Sequence, residues 1–441
     1  MSTPTVRNTF RTGPGSPGLG DVGSNLARAR MRRRPDSRGD HKTGHPLLPC
    51  SLMLATIFCA APAASDAEKR SAAASNEPKV VYIVSTRHFS SEDLAAIRSQ
   101  SVSSETIPLW SYSITAYDGR TYQGEMVGRS PYAHGHRSTT IPTYVIPVVF
   151  TFADTNTVFD PTAGNVCSPN GGNVLSLVHG SPIFQNAAFS MNGVNVGNTQ
   201  YLDAFQRGNF WSLVAGTPYH TVFSSNPPVL PAVKVTVPVE EGSTQVGFCR
   251  PYGKMNEFWW DNLLRTTIIP GLASEGVGPA NFAQFIFDSV VMYLGDPSQC
   301  CVGGYHSSYL NNGVFQTYSA NFVDTSGVFG GGTTAMSHEV AEWMDDPTGG
   351  NPVPGWGAEG SVHAPFCQIN LEVGDPLSPG FGTPTNPFSV SMPNGVTYTL
   401  QELAYVSWFY GQVPSLGSGG GYSDNGTFLG YAKPCPPGGT N

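Results

Sequence analysis

The chain has 441 residues, only 12% of them charged, with 23 Lys and Arg against 31 Asp and Glu. Nine of the basic and three of the acidic residues lie in residues 1–45, so the rest carries 14 and 28 and has a net charge near −14. Because binding to a phosphate backbone needs a basic surface, this balance argues against nucleic acid as a partner. Few charges together with 51 Gly and 37 Pro are typical of a loop-rich extracellular chain.

Residues 1–65 have the composition of a secretory signal peptide. A basic region is followed by residues 46–65, which carry no charge and approach their end with the small residues Ala61-Pro62-Ala63. A retained membrane anchor is the alternative, but the apolar part is short for a membrane span and contains prolines. We therefore expect a secreted, periplasmic or extracellular protein, with no stable membrane span once the leader is removed.

The remainder divides into residues 66–135, expected to be an N-terminal extension or a pro-segment, and residues 136–441, expected to be the folded domain. This domain is long enough for a large core, in one body or in two lobes around a cleft. Hydrophobic patterns favour a mixture of both element types and an α+β fold. The predicted strands cover 79–86, 144–152, 229–237, 285–294 and 314–322, and the predicted helices cover 91–100, 201–214, 255–266 and 398–410.

Six cysteines follow the leader, and an even number in an exported chain indicates disulfide bonds. The adjacent Cys300 and Cys301 are expected to pair with two different partners. Cys367 lies five residues before Glu372, and our hypothesis is that a disulfide at Cys367 fixes the loop that carries Glu372. The six are Cys167, Cys249, Cys300, Cys301, Cys367 and Cys435.

The run from Ala335 to Pro347 is the densest in ionisable and aromatic side chains. It predicts a helix that ends near Asp345, because the residue before a proline avoids the α region. On this helix His338 and Glu342 project from one face, one turn apart. This is the geometry of the H-E-x-x-H metallohydrolases, except that the second histidine is replaced by a glutamate.

Two other interpretations of this run stay open. It could be a short surface helix with solvated acids and one histidine. Alternatively, Glu339, Glu342 and Glu372 could supply the pair of carboxylates of a glycosidase, although that chemistry does not explain His338. No serine nucleophile elbow or phosphate-binding glycine loop is found.

The downstream segment Cys-Gln-Ile-Asn-Leu-Glu372-Val-Gly-Asp375-Pro, together with the helix motif, resembles the gluzincin branch of the zinc metallopeptidases. The resemblance implies that His338, Glu342 and Glu372 bind the metal and that Glu339 is the general base. It implies that Asp375 orients His338 through a hydrogen bond. Asp345, which continues the helix face of His338 and Glu342, is a further candidate to support the ligands. It also implies a zincin-like core in which the strand at 314–322 forms the edge of the substrate cleft.

The motif Ser-His-Glu-x-x-Glu-Trp is also similar to that of a group of uncharacterised secreted bacterial proteins and, more distantly, to plant phosphate-induced (Exordium-type) proteins. We therefore expect a disulfide-stapled, loop-rich α+β protein with a zincin-like core. Its expected function is that of a secreted metal-dependent hydrolase, most simply a peptidase acting on a peptide or protein substrate. The alternative is a non-catalytic secreted or envelope binding protein with a degenerate or structural metal site. Zn²⁺ is the first candidate for the ion, with Mn²⁺, Fe²⁺ and Ca²⁺ also suited to oxygen ligands.

Overall fold

The computed structural model describes residues 81–84, 106–330, 332–357, 368–378 and 388–425, all of which belong to one compact unit spanning residues 64–441. The strands in these ranges, numbered in chain order, are β1 (Val81–Val84), β2 (Leu109–Thr115), β3 (Thr121–Val127), β4 (Thr139–Ile141), β5 (Thr143–Phe152), β6 (Thr157–Phe159), β7 (Ala187–Met191), β8 (Val194–Thr199), β9 (Thr221–Phe223), β10 (Val233–Val237), β11 (Gly242–Gln245), β12 (Tyr252–Asn256), β13 (Phe282–Asp288), β14 (Val290–Tyr293), β15 (Cys300–Asn311), β16 (Val314–Val323), β17 (Pro352–Trp356), β18 (Gln368–Asn370), β19 (Phe388–Ser391) and β20 (Thr397–Leu400).

The helices in the same ranges are α1 (Pro131–His134), α2 (Val174–Gly180), α3 (Tyr201–Asn209), α4 (Trp211–Val214), α5 (Glu257–Leu263), α6 (Ile269–Gly271), α7 (Thr334–Asp345) and α8 (Val406–Tyr410). A π-helical turn at Leu264–Ile268 extends α5. No helix within the described ranges combines the length and the hydropathy that a membrane crossing requires.

A mixed ten-stranded sheet forms the centre of the molecule, with the order β10-β5-β13-β16-β15-β14-β12-β11; β6 pairs with β5 and β1 with β15. Its two ends approach each other, because Thr244 of β11 donates its backbone N–H to Asp154 Oδ2, 2.7 Å away, at the end of β5. The sheet is thus nearly closed. Together with the helices, this confirms the predicted α+β class and the mixed sheet.

Alternation along β15 and β16 separates two cores on opposite faces of the sheet. Tyr305 and Tyr318 point into one core, which also contains Trp260. The alternate residues of both strands, which include the paired His306 and Ser319, lie on the other face. Helix α7 packs against that face. The polar side chains of the predicted site therefore lie between the sheet and a single buried helix.

The predicted strand at 314–322 is present as β16, but its expected position at the edge of the sheet is wrong. β16 is hydrogen-bonded to β15 on one side and to β13 on the other. Because Tyr318–Asn321 already has strand neighbours on both sides, a peptide cannot be added along this segment. The burial of nearly all its side chains, on both faces, accounts for the central position.

The C-terminal prediction of a helix over 398–410 is wrong in its first half. Thr397–Leu400 is a strand that pairs with Phe388–Ser391, and only Val406–Tyr410 is helical. Exposed and buried side chains alternate from Thr397 to Leu400, which is the period of a strand. The predicted strand at 285–294 is divided into β13 and β14 at Ser289, whose φ is +53°. The predicted helix at 91–100 lies outside the described residues.

Part of the predicted N-terminal extension belongs to the core of the folded unit. The hairpin β2–β3 buries Trp110 and Met126 in the same hydrophobic cluster as Val340 and Trp343 of α7. The division between an extension or pro-segment and the folded domain at residue 136 stays a prediction.

The disulfides differ in part from the expectation. Cys167 is bonded to Cys249, and Cys300 is bonded to its neighbour Cys301. The prediction that the adjacent cysteines pair with two different partners is therefore wrong; Cys167 and Cys249 are occupied by each other. Cys367 and Cys435 lie outside the described residues, so the hypothesis about Cys367 stays open.

Candidate metal centre

Helix α7 carries the candidate site and is buried along its whole length, which makes the surface-helix interpretation wrong. Its apolar residues pack into the core, where the Trp343 ring stacks on Phe282 with 3.6 Å between ring centroids. Pro347 follows the end of the helix, where the Asp346 N–H donates a hydrogen bond to the Glu342 carbonyl. Since the helix has no solvent-facing side, each ionisable side chain on it needs a partner inside the protein.

Glycines on two sides allow other backbone segments to approach the ionisable residues of α7. A Cβ atom at Gly304 of β15 would lie 2.9 Å from Glu339 Cγ, and a Cβ atom at Gly374 would lie 2.4 Å from His338 Nδ1. Real side chains do not tolerate such distances, so glycine is required for this close packing. The strand and the loop after β18 thus contact the helix where its motif residues lie.

One group of potential ligands consists of His338, Glu342 and Asp375, whose ligand atoms all lie within 4.8 Å of one another. His338 Nε2 is 3.0 Å from Glu342 Oε1 and 3.4 Å from Asp375 Oδ1. The other ring nitrogen, Nδ1, is 3.2 Å from the hydroxyl oxygen of Ser378. Gly374 N–H donates to Glu342 Oε1 over 3.1 Å. The imidazole therefore has its Nε2 directed at two carboxylates, with a hydroxyl on its other nitrogen.

A second group consists of His306, Glu339 and Glu342, again with ligand atoms within 4.8 Å of one another. His306 Nδ1 on β15 is 3.2 Å from Glu339 Oε2 and 3.7 Å from Glu342 Oε2. Glu342 therefore belongs to both groups, with Oε1 in the first and Oε2 in the second. His306 is not among the ligands predicted from the sequence. Its contact with α7 depends on the pairing of β15 with β16, and nothing in its local sequence indicates that contact.

The remaining predicted residues lie on either side of these groups. Glu372 is buried beside Glu342, and within the described residues neither of its oxygens accepts a hydrogen bond from an N–H or hydroxyl donor. Asp345 instead faces α3, where its Oδ1 accepts a hydrogen bond from Gln206 Nε2 over 2.7 Å. The structure thus brings Asp375, rather than Glu372, within reach of the His338 Nε2 atom.

Burial and mutual repulsion dominate the electrostatics of the site. Burial, and then the proximity of other carboxylates, raises the pKa of Glu342 and of Glu372 well above the usual range. Burial also raises the pKa of Glu339. Burial lowers the pKa of His306 to about 3, which leaves a neutral imidazole. A neutral imidazole is the form that binds a metal ion.

The residues present fit a divalent cation. Within the described ranges, Glu339 Oε1 is buried and without a hydrogen-bond partner, and the buried Glu372 carboxylate has the neighbouring Glu342 carboxylate beside it but no N–H or hydroxyl donor. Buried acceptors of this kind are costly unless a proton or a cation satisfies them. Imidazole nitrogens and carboxylate oxygens are ligands for Zn²⁺ and for the harder divalent ions. The two groups could therefore hold a metal ion.

Comparisons with known proteins add no relative to this description. No protein-family model, no curated protein and no solved structure matches the chain.

Proposed function

We propose that the protein is a secreted metal-dependent hydrolase with a zincin-like core, and that peptides are its substrates. The observation that supports this most strongly is the convergence of His338, Glu342 and Asp375, with Glu339 beside them on the same helix. The leader-like composition of residues 1–65 and the disulfide bonds support export.

In this proposal His338 Nε2, Glu342 Oε1 and Asp375 Oδ1 hold the ion, and Glu372 adds an oxygen donor beside Glu342. A bound divalent cation would polarise the scissile carbonyl and lower the pKa of a water molecule. Ser378 fixes the orientation of the His338 ring through its contact with Nδ1.

Glu339 is the proposed proton acceptor. Its Oε2 is held 3.2 Å from His306 Nδ1, which leaves Oε1 directed away from that contact and without a hydrogen-bond partner within the described residues. Oε1 would take a proton from the attacking water and deliver it to the leaving amine. The proton that the carboxylate takes from water is thus passed to the amine nitrogen when the amide C–N bond breaks.

The ligand chemistry decides which ions are suitable. One neutral imidazole and two carboxylates neutralise a divalent ion, and Zn²⁺ remains the first candidate. Because oxygen atoms predominate among the donors, Mn²⁺, Fe²⁺ and Ca²⁺ are also suited to the site.

A second candidate function is favoured by the burial of the site. His338 and Glu339 have no exposed surface, and Asp375 is only 2% exposed. A substrate must reach the general base, whereas a structural ion needs no such access. The alternative is therefore a non-catalytic secreted or envelope protein in which the ion stabilises the fold.

Two variants of the full chain separate these functions. We expect the purified protein to contain a divalent metal that His338→Ala loses, and to cleave an unstructured protein such as casein. Glu339→Gln should keep the ion held by His338, Glu342 and Asp375 but abolish cleavage, while the exposed control Glu240→Gln should change neither that ion nor cleavage. Metal retained by the wild type without hydrolysis of peptides or esters would support the structural alternative.

A further inference from the structure

The geometry points to a second cation position formed by His306, Glu339 and Glu342, with the Glu342 carboxylate bridging two ions. This inference rests on the proposed function, because the first position is the one held by His338, Glu342 and Asp375. The ligand is a divalent transition-metal ion such as Mn²⁺ or Zn²⁺.

The two oxygens of Glu342 are directed to different histidines. Oε1 lies 3.0 Å from His338 Nε2, and Oε2 lies 3.7 Å from His306 Nδ1. A carboxylate that presents one oxygen to each of two imidazoles is arranged as a bridging ligand. Ions bridged in this way lie roughly 3.5–4 Å apart in two-metal hydrolases.

The distances between donor atoms suit ligands that surround a common ion. Two ligands at about 2.1 Å from an ion in tetrahedral geometry are separated by roughly 3.4 Å. In the second group, His306 Nδ1 is 3.2 Å from Glu339 Oε2 and 3.7 Å from Glu342 Oε2. The corresponding distances in the first group are 3.0 and 3.4 Å. Direct charge-assisted hydrogen bonds are shorter, at about 2.7–2.9 Å.

The number of buried carboxylates also matches the charge of two divalent ions. Glu339, Glu342, Glu372 and Asp375 are four buried carboxylates, and the ion pairs identified for them are with the imidazoles of His306 and His338. One divalent cation would balance two of the four negative charges. A second would balance the other two without any protonation of the carboxylates.

The second position would also hold the proposed general base in place. Glu339 is fully buried, and its Oε1 has no hydrogen-bond partner within the described part of the chain. Through Oε2 the side chain is placed to bind the second ion, and Oε1 remains available as the proton acceptor of the proposed hydrolysis. The second ion would thus orient the general base as well as balance its charge.

Metal stoichiometry and spin coupling test this inference on the full chain. The wild type is freed of metal, reconstituted with Mn²⁺ and measured by elemental analysis and by electron paramagnetic resonance. We expect two ions per chain and the exchange-coupled signal of a close Mn²⁺ pair. His306→Gln should bind one ion and lose the coupled signal, whereas the matched control His220→Gln, at a histidine paired with Asp203, should retain both.

The wild-type measurement decides the outcome even where a variant does not fold. One uncoupled ion in the wild type with peptide cleavage would overturn the second position and leave the proposed hydrolase intact. Two coupled ions without any hydrolysis would support the second position and contradict the hydrolase. Two ions retained by a folded His306→Gln variant would overturn the assignment of His306.

Discussion

Two buried clusters, one around Asp261 and one around the carboxylates of α7, lie on opposite faces of the sheet, and their negative charges are balanced in different ways. On one face, Asp261 accepts a hydrogen bond from the Tyr318 hydroxyl over 2.5 Å and from Arg265 Nε over 2.8 Å. On the other, Glu339 and Glu342 of α7 are paired with His306 and with His338.

The difference indicates which cluster has its negative charge balanced by residues of the protein itself. Asp261 has a permanent cation and a hydroxyl donor supplied by the chain, as a structural carboxylate requires. The carboxylates near α7 have neutral or weakly basic partners, and they raise one another's pKa values. We therefore expect the α7 cluster, and not the Asp261 cluster, to depend on an added cation.

The largest expected effect comes from metal removal. Chelation should destabilise the wild type by about 4 kcal/mol for each ion that is present at roughly 1,000 times its dissociation constant. The measurement is urea unfolding with and without EDTA, followed by tryptophan fluorescence. In Asp261→Asn, which leaves the α7 cluster intact, the chelator should have the same effect as in the wild type. Equal stability of the wild type with and without EDTA would contradict the comparison.

Mutation of the Asp261 cluster should change the stability of the protein, and this change should not depend on metal. Arg265→Met leaves Asp261 without its cation and should lower the free energy of unfolding by roughly 3 kcal/mol. The loss should be the same in EDTA, because the ion is not part of this cluster. A loss that depends on added metal would show that the two faces are coupled.

A third carboxylate allows the electrostatic account to be tested by pH. Burial raises the pKa of Asp424 from its ordinary value of 3.8 to about 8. The folded state therefore keeps a proton that the unfolded chain releases, so this contribution to stability is complete below about pH 4 and is lost as pH rises toward 8. Asp424→Asn should remove this pH dependence.

Comparison of Asp424→Asn with the wild type isolates the contribution of Asp424 from that of other groups such as Asp345, whose pKa burial raises to about 7. Between pH 5 and 8 the wild type should lose at least about 2 kcal/mol more than the variant in urea unfolding. Parallel stability curves would contradict the prediction.

The smallest expected effect concerns the packing of the loop against His338. Gly374→Ala places a Cβ atom within 2.4 Å of the His338 ring nitrogen, so either the loop or the imidazole must move. We expect metal affinity to fall about tenfold, as when the support of a metal ligand is disturbed. Calorimetric titration measures this change. Gly278→Ala, with open space around its Cβ, is the control and should bind normally.

The motif helix could be predicted from the sequence because its determinants are local. The i, i+4 spacing of His338 and Glu342 and the stop before Pro347 depend on neighbouring residues, and α7 ends at Asp345 as expected. The same holds for β5, a run of β-branched and aromatic residues.

The partners of the helix could not be predicted in the same way, because they depend on tertiary pairing. His306 reaches Glu339 only because β15 pairs with β16 and Gly304 allows α7 to approach the sheet. The central position of β16 likewise depends on its pairing with β13, which no local pattern specifies. Asp375 and Glu372 are three residues apart, so only the loop conformation determines which of them faces His338.

The central claim, that the α7 cluster binds a cation, is tested most directly by anomalous X-ray diffraction from crystals of the full chain soaked in Zn²⁺. We expect an anomalous peak about 2.0–2.2 Å from His338 Nε2 and from an oxygen of Glu342. A crystal saturated with Zn²⁺ that shows no peak within coordination distance of these two residues would contradict the account.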